Sequence, residues 1–529
     1  MSEHKQYLRP NVQLEPLVNQ WYAWPHLIAP HTAAMHFANA HVKMMKSFIA
    51  APDFHAAAVN NPAMRGGPFV DLPRDRVPDV KKLQDRTLKE QGLMLALGDA
   101  IKKLNELLSN EAKGQSLEPL YEKVPDLLKG YVELTYDLNK NPSARFIEGL
   151  LYGSKYYDKS NQAIDLSLVE KDERPFVFST PRLDSEGHLQ IHIPLEDAAI
   201  DRLFEMRAAP RSFELIKEAF TTGETEGDLF RRLFTDEPPK PSERYSGEGV
   251  RIRYFGHACI LIETKDVSIM TDPCLTYRSD SDPPRYTFAD LPPSIDYVLI
   301  THGHQDHVLF ETLLQLRHRI GQVIVPRSGA GELEDPSLKL ILKHIGFKNV
   351  AEIDDMETIE VQDGSVTGIP FLGEHGDLNI RSKAAHLIRL KGRSILCAAD
   401  SANLEAKLYQ HVHEMVGDLD LLFLGMECDG APVSWIYGPL FTKPLDRKMD
   451  QSRRLCGSDY TRGIDIVKRF RCREVYVYAM GQEPWLGYVT SIKYTDESKP
   501  IIESSKLVEM CREIGIVAER LYGSKEIIV

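Results

Sequence analysis

No apolar run in this chain approaches the roughly 20 residues that a membrane-spanning helix requires. The opening Met1-Ser2-Glu3-His4-Lys5-Gln6 also lacks the apolar core of a signal peptide. The expected address is cytoplasmic, with no membrane partner. A C-x-x-C pair is missing too. Cys259, Cys274, Cys397, Cys428, Cys456, Cys472 and Cys511 are an odd number of scattered thiols, which excludes a zinc knuckle or a disulfide frame and predicts reduced, mostly buried side chains. Basic excess is absent as well: 64 Lys and Arg stand against 77 Asp and Glu, a net charge of −13, and a nucleic-acid surface would need a basic stripe. Neither a short repeat nor a low-complexity tract occurs.

What is present is a soluble globular composition, 43% hydrophobic and 27% charged, over 529 residues. That length exceeds one ordinary core and predicts two domains. The first begins with the aromatic stretch Trp21-Tyr22-Ala23-Trp24-Pro25-His26 and a helical pattern from about Thr32 to Ala50. His31, His36 and His41 recur there at a five-residue step that does not keep one α-helical face, so they are read as surface or packing side chains. A long amphipathic helix is predicted over Leu83–Leu108, strands at Pro175–Phe178 and Leu189–Ile193, and helices near 201–209 and 211–220. This α+β domain, 1–235, carries no chemical motif. Residues 236–249 contain Pro238, Pro239 and Pro241 among charges, a linker composition.

From Val250 onward the pattern turns to strands: 250–255, 260–264, 267–273, 295–300, 323–325, 358–361, 366–370, 385–390, 394–399, 418–425 and 474–480. The chemistry lies at the end of one of them. Ile295–Ile300 runs into Thr301-His302-Gly303-His304-Gln305-Asp306-His307, ahead of a helical start at Val308–Leu314. Side chains alternate along an extended segment, so His302 and His304 point the same way and share one ion. Asp306 and His307 turn toward a second position. Three histidines and an aspartate so closely spaced, in a chain with 18 histidines, predict a two-metal site.

The run His302-Gly303-His304-Gln305-Asp306-His307 resembles the HxHxDH signature of the metallo-β-lactamase superfamily. The Gly256-His257-Ala258-Cys259 segment and the Thr271-Asp272-Pro273 turn resemble its opening strands. The resemblance implies an α/β fold, an αββα sandwich of two sheets faced by helices over 250–529. It also implies further ligands at other strand ends, and two places qualify: Glu374 with its neighbour His375, and Asp400 after Cys397-Ala398-Ala399. The superfamily places a histidine at the first and a bridging aspartate at the second. Its late histidine has no counterpart here, since Val475–Ala479 runs into Met480-Gly481-Gln482-Glu483. With Glu374 as ligand, the set is His302, His304, Glu374 and Asp400 around one ion, and Asp306, His307 and Asp400 around the other.

Three histidines and three carboxylates differ from the imidazole-rich sets of zinc hydrolases. Mixed carboxylate and histidine ligation is the style of oxygen-activating di-iron proteins, so two Fe ions are favoured over two Zn. This altered set behind a large N-terminal domain resembles the non-haem di-iron monooxygenases typified by the β-hydroxylase of chloramphenicol biosynthesis. That resemblance implies hydroxylation of the β-carbon of an amino acid tethered to a carrier (thiolation) domain of a non-ribosomal peptide synthetase, in antibiotic biosynthesis. It implies O2 as co-substrate, an external two-electron donor, Asp400 bridging the ions and Glu374 as a mobile ligand. It also implies a homodimer whose N-terminal domain makes the dimer contact and covers the active site.

Glu427 follows the strand 418–425 and is read either as a group acting on a ligand or its protons, or as a solvent-facing carboxylate. His257 is read as a satisfied buried histidine in preference to a group that supports a metal ligand. The insert Asp429–Phe441 either walls a substrate pocket or caps the core. Docking of an acidic carrier requires a local basic patch, for which Arg251, Arg253, Arg453 and Arg454 are candidates. The competing reading is a di-zinc metallohydrolase of an ester, lactone or phosphodiester, favoured if His375 rather than Glu374 binds metal. A non-catalytic protein with a structural metal site is the third reading, disfavoured by the complete ligand set.

Overall fold

A computed structural model describes residues 5–220, 224–278, 282–329 and 331–529. Met1–His4, at the head of the opening hexapeptide, lie outside the described residues. The C-terminal part holds two seven-stranded sheets. One runs, edge to edge, Val350–Ile353, Ile320–Pro326, Ile295–Leu299, Ser268–Thr271, Cys259–Glu263, Arg251–Gly256 and Lys525–Ile528. The other runs Thr358–Val361, Gly364–Ile369, Ala385–Leu390, Arg393–Cys397, Leu421–Gly425, Glu474–Tyr478 and Val517–Arg520. Each sheet joins antiparallel hairpin strands to parallel ones, and parallel neighbours need helical crossovers on the outer face.

The sheets stack through β-branched and aromatic side chains that alternate with the pleat. Ile252, Tyr254, Ile260, Ile262, Ile269 and Leu299 from the first meet Val366, Ile388, Ile395, Phe423 and Tyr476 from the second in one core. Helices Ala406–Val416, Tyr460–Arg469 and Lys499–Glu513 cover the outside of the second sheet, burying Tyr409, Val412, Ile466, Val467 and Leu507. Each such side chain removed from water contributes about 1.5–3 kcal/mol.

The outer face of the first sheet is covered by helix Phe310–Leu316 and by the N-terminal domain. That domain has a four-stranded sheet of its own, in the order Trp21–Tyr22, Val12–Val18, Gln162–Leu168, Leu189–His192. Its core is continuous with that of the catalytic part: Leu14, Trp21 and Met35 belong to the same buried cluster as Leu261, Met270, Val298 and Phe310. A buried polar knot pins the contact. Nη1 of Arg174 reaches Glu15 at 2.9 Å and Glu311 at 3.0 Å, Arg182 pairs with Glu15, and the hydroxyls of Tyr22, Tyr277 and Tyr488 all donate to Glu311.

Several expected elements differ in detail. The long helix is two, Val77–Glu90 and Gly92–Glu111, interrupted at Gln91, whose backbone leaves the helical region before Gly92. Pro175–Phe178 is irregular rather than a strand; its rings serve packing, with Phe178 against Trp24 and Phe176 against Trp435. The helix after the metal motif starts at Phe310, so Asp306 and His307 sit in the turn before it. Residues 236–249 are irregular, as their prolines dictate.

The histidines at five-residue spacing are all buried, His31, His36 and His41 alike, and none lies on the surface. Between His36 and His41 a π-helical turn over Phe37–His41 replaces the α-helical step with an i→i+5 one, and His31, in the α-helix before it, stacks on Phe146. His41 stacks on Trp21 with centroids 4.0 Å apart, and His36 packs edge-on against Trp24 at 5.1 Å.

Candidate metal centre

Three strand ends and one tight turn converge on the same edge of the sandwich. Asp272 ends the strand Ser268–Thr271 and accepts hydrogen bonds from Thr301 N at 2.8 Å, Thr301 Oγ1 at 2.6 Å and His307 Nδ1 at 2.8 Å. A carboxylate on Nδ1 fixes the tautomer and turns Nε2 of His307 inward. Nε2 then lies 2.9 Å from Oδ2 of Asp400, which follows the strand Arg393–Cys397. His302 Nε2 stands 3.7 Å from the same Oδ2 and 3.1 Å from Nδ1 of His304.

The fourth contribution comes from Gly373-Glu374-His375-Gly376, a turn in which three successive backbones have positive φ at Gly373, Glu374 and, after His375, Gly376. Gly373 is required there, because a Cβ would meet the Cβ of Ala402 at 2.7 Å. The turn delivers both candidate side chains to the site. Oε1 of Glu374 lies 3.3 Å from Nδ1 of His304. The His375 ring lies 4.6 Å from that of His304 and 5.3 Å from that of His302, centroid to centroid. Its Nδ1 faces the Gly373 carbonyl at 3.3 Å, leaving Nε2 free.

Three sets of donor atoms therefore close to within 4.8 Å: His302, His304 and His375; His302, His307 and Asp400; and His257, Asp306 and His307. His302, His304, Asp306, His307 and Asp400 fall in these sets; His375, not Glu374, joins the first of them, and Glu374 stands beside His304 outside all three. His257 was expected to be a satisfied core histidine. It is buried, but its Nε2 is 3.2 Å from Oδ2 of Asp306 while Nδ1 accepts from Gly481 N at 3.2 Å. Gly481 follows the strand Glu474–Tyr478, the one without the late histidine.

The electrostatics fit a cation-holding site. Burial pushes Glu374 well above the ordinary carboxylate range, and Asp400 and Glu427 beside it push the same way. Glu427, half-buried, is raised by burial and by Asp400 and Asp306. Burial holds His302 and His375 well below their ordinary value, and lowers His304 to about 4. Burial opposes the charge on His307, but Asp400 and Asp272 outweigh it and hold the ring well above the ordinary range. Oδ1 of Asp400 is buried and makes no hydrogen bond among the described residues. Inward-facing imidazole nitrogens beside crowded carboxylates are the donor set of a hard-to-borderline metal pair.

Two residues escaped the sequence reading. Asp272 was visible as the Thr-Asp-Pro turn, but nothing local shows that it reaches His307. Tyr437, in the 429–441 insert, places its hydroxyl 2.9 Å from Nε2 of His304.

Residues 7–238 match the family described as the di-iron non-haem β-hydroxylase N-terminal domain, and residues 268–431 match the β-lactamase superfamily domain. The 4-amino-L-phenylalanyl-[CmlP-peptidyl-carrier-protein] 3-hydroxylase of Streptomyces venezuelae is 39% identical over 522 residues, 97% of this chain and 98% of that one. The chain belongs to the di-iron β-hydroxylase family. The crystal structure of CmlA, a di-iron β-hydroxylase from Streptomyces venezuelae, superposes with a TM-score of 0.94 over the whole of both chains at 38% identity. A metal-dependent hydrolase, YtkL of Bacillus subtilis, is 28% identical over 190 residues, 33% of this chain and 72% of its own. Its match leaves the N-terminal domain uncovered. This β-hydroxylase is therefore an iron-dependent oxidoreductase built on a hydrolase fold, and the zinc hydrolase alternative falls away. No helix among the described residues is long and apolar enough to cross a membrane.

Proposed function

We propose that this β-hydroxylase acts on an amino acid held as a thioester on the carrier domain of a peptide synthetase, in antibiotic biosynthesis. The observation that carries the reading is whole-chain similarity to an enzyme named for that substrate, joined to clustered histidine and aspartate donors in a buried site. Two irons, when bound, would supply O2 activation for hydroxylation of the β-carbon, a reaction that also consumes two protons and two electrons from an external donor and releases water. His302, His304 and Glu374 would hold one iron and Asp306 and His307 the other, with Asp400 available to both. The 3.3 Å approach of Glu374 to His304 supports this assignment.

The chain's remaining part is positioning and exclusion. Asp272 and Tyr437 orient His307 and His304, and His257 orients Asp306. Glu427, not a ligand, moves protons at the bridging position. The N-terminal domain, 1–235, covers the site: His26 packs on Tyr437 with ring centroids 6.1 Å apart, so water is excluded from the chamber behind it. We further assign it the dimer contact, and the enzyme a cytoplasmic location beside its synthetase.

The test uses protein isolated without added metal. Iron analysis should return two irons and a di-ferric absorption, and the reduced enzyme given labelled O2 and 4-amino-L-phenylalanyl carrier should add one labelled oxygen atom to the carrier-bound residue. Two zincs, or release of the amino acid without oxygen incorporation, would overturn the reading.

A further inference from the structure

The acidic chain has one concentrated basic stretch next to its metal centre. Between 443 and 454 stand Lys443, Arg447, Lys448, Arg453 and Arg454, against Asp446 and Asp450 alone. Both acids are occupied: Asp446 caps the helix Arg447–Ser452 by accepting from Met449 N at 2.8 Å, and Asp450 accepts from Ser434 N at 3.0 Å and Oγ at 2.8 Å. Lys443, Arg447 and Lys448 are exposed and make no ion pair among the described residues. Arg454 is partly engaged by Asp429 at 3.5 Å. The other candidates for a docking patch fail. Arg251 and Arg253 both close on the buried Glu263, at 3.0 and 3.1 Å, and Arg453 is turned inward, donating to Gly376 O at 2.7 Å.

That last bond ties the stretch to the site. Gly376 adjoins His375, and Gly457, three residues past Arg454, donates to the Glu427 carbonyl at 2.8 Å. Ser458 bonds the carbonyl of Ser401, beside Asp400, at 2.9 Å. Within the basic helix Arg447–Ser452 one apolar side chain stands out in solvent, Met449 at 55% exposure. Exposed cations largely free of ion pairs beside an exposed apolar side chain make the kind of surface that captures an acidic partner through its charge and anchors it through apolar contact.

We propose that the face formed by Lys443, Arg447, Lys448, Arg454 and Met449 docks the acidic carrier domain that presents the substrate. This rests on the carrier reading above. Elsewhere the net charge of −13 repels such a partner, so attraction at this face both captures the carrier and sets its orientation, with the thioester arm toward the seam at Gly373–Gly376.

The experiment measures binding of the fluorescently labelled CmlP carrier domain, with its phosphopantetheine arm, to the full-length iron-loaded enzyme and to K443E/R447E/K448E. A milder K443A/R447A/K448A variant guards against misfolding. Wild-type binding should weaken with salt. The charge-reversed variant should lose roughly tenfold or more in affinity and most of that salt dependence, the alanine variant less. Iron content, di-ferric spectrum, melting temperature and elution volume should all stay as in the wild type. Unchanged carrier affinity in both variants overturns this docking face and leaves the carrier reading standing. A shift to a smaller species on sizing makes the face a contact between two copies and also overturns it. Wild-type enzyme that hydroxylates a free amino acid and binds no carrier overturns the carrier reading itself.

Discussion

The hydroxyl of Tyr437 lies 2.9 Å from Nε2 of His304, while Nδ1 of the same ring faces Glu374 and His302. One nitrogen is thus reserved for the metal and the other is held by a residue 133 positions away. Removing such a partner typically costs 10–100-fold in metal affinity or activity. Tyr437→Phe keeps the ring packing and deletes only this contact. The expected result is weaker iron retention during dialysis and a shifted di-ferric spectrum, at an unchanged melting temperature of the metal-free protein.

Asp272 plays the same part for His307, at 2.8 Å and fully buried. It also holds Thr301, so its loss disturbs the backbone from which the motif departs. Asp272→Asn should lower iron content more than Tyr437→Phe does, with stability falling by about 1–3 kcal/mol for the buried groups left unpaired. Denaturant unfolding of the metal-free variants checks the ranking.

Glu374 and His375 share one turn, and the assignment of Glu374 to iron predicts an asymmetry. Glu374→Ala should sharply reduce iron content or oxygenation, His375→Ala much less. Equal or reversed losses, read by metal analysis, would move the ligand to the imidazole.

In the metal-free protein Glu374 and Glu427 should contribute stability that is lost with rising pH. Their carboxyls sit well above their ordinary range in the metal-free site, so the folded state keeps protons that the unfolded chain has released. That contribution declines as pH climbs from the unfolded value of about 4.5 toward the folded ones, while the burial-lowered His302, His304 and His375 act in the opposite sense up to about 6.5. Metal binding displaces those protons and strengthens over the same range. The gap in melting temperature between iron-loaded and stripped enzyme should widen from pH 5.5 to pH 8.

Glu15 gives the opposite sign. Burial opposes its charge, but Arg182 and Arg174 outweigh it and lower the carboxyl from 4.5 to about 2. A depressed folded pKa contributes stability that is complete above about 4.5 and is lost as pH falls toward about 2. Glu15→Gln leaves two buried guanidinium groups short of a partner and should cost about 3–5 kcal/mol at neutral pH. Its stability should also fall less steeply than the wild type's on acidification.

Much of the architecture was legible because it is written in local periodicity. Strand alternation from Val250 to Met480 and the HxHxDH run at a strand end each depend on residues near one another in the chain, so the strands and the motif half of the site follow from them, and the sandwich from the resemblance that the motif carries. The five-residue histidine step, read as surface or packing, is packing, and the sequence did not choose between the two because burial depends on the aromatic rings of distant segments. Pro175–Phe178 misled, since aromatic content predicts burial as well as strand, and there burial alone was met.

What the amino-acid sequence determined by itself was the metal-binding run, the ordering of a helical and mixed domain before a sheet-rich one, and a ligand set poor in imidazole at its late strand. What only the tertiary structure decided was which distant groups complete the site: Asp272 behind His307, Tyr437 behind His304, His257 beside Asp306, and which arginines remain free to meet a partner. Those pairings span from 35 residues to more than 130. Their partners are set by how two sheets and a covering domain pack, and packing depends on the whole buried surface rather than on any segment of the chain.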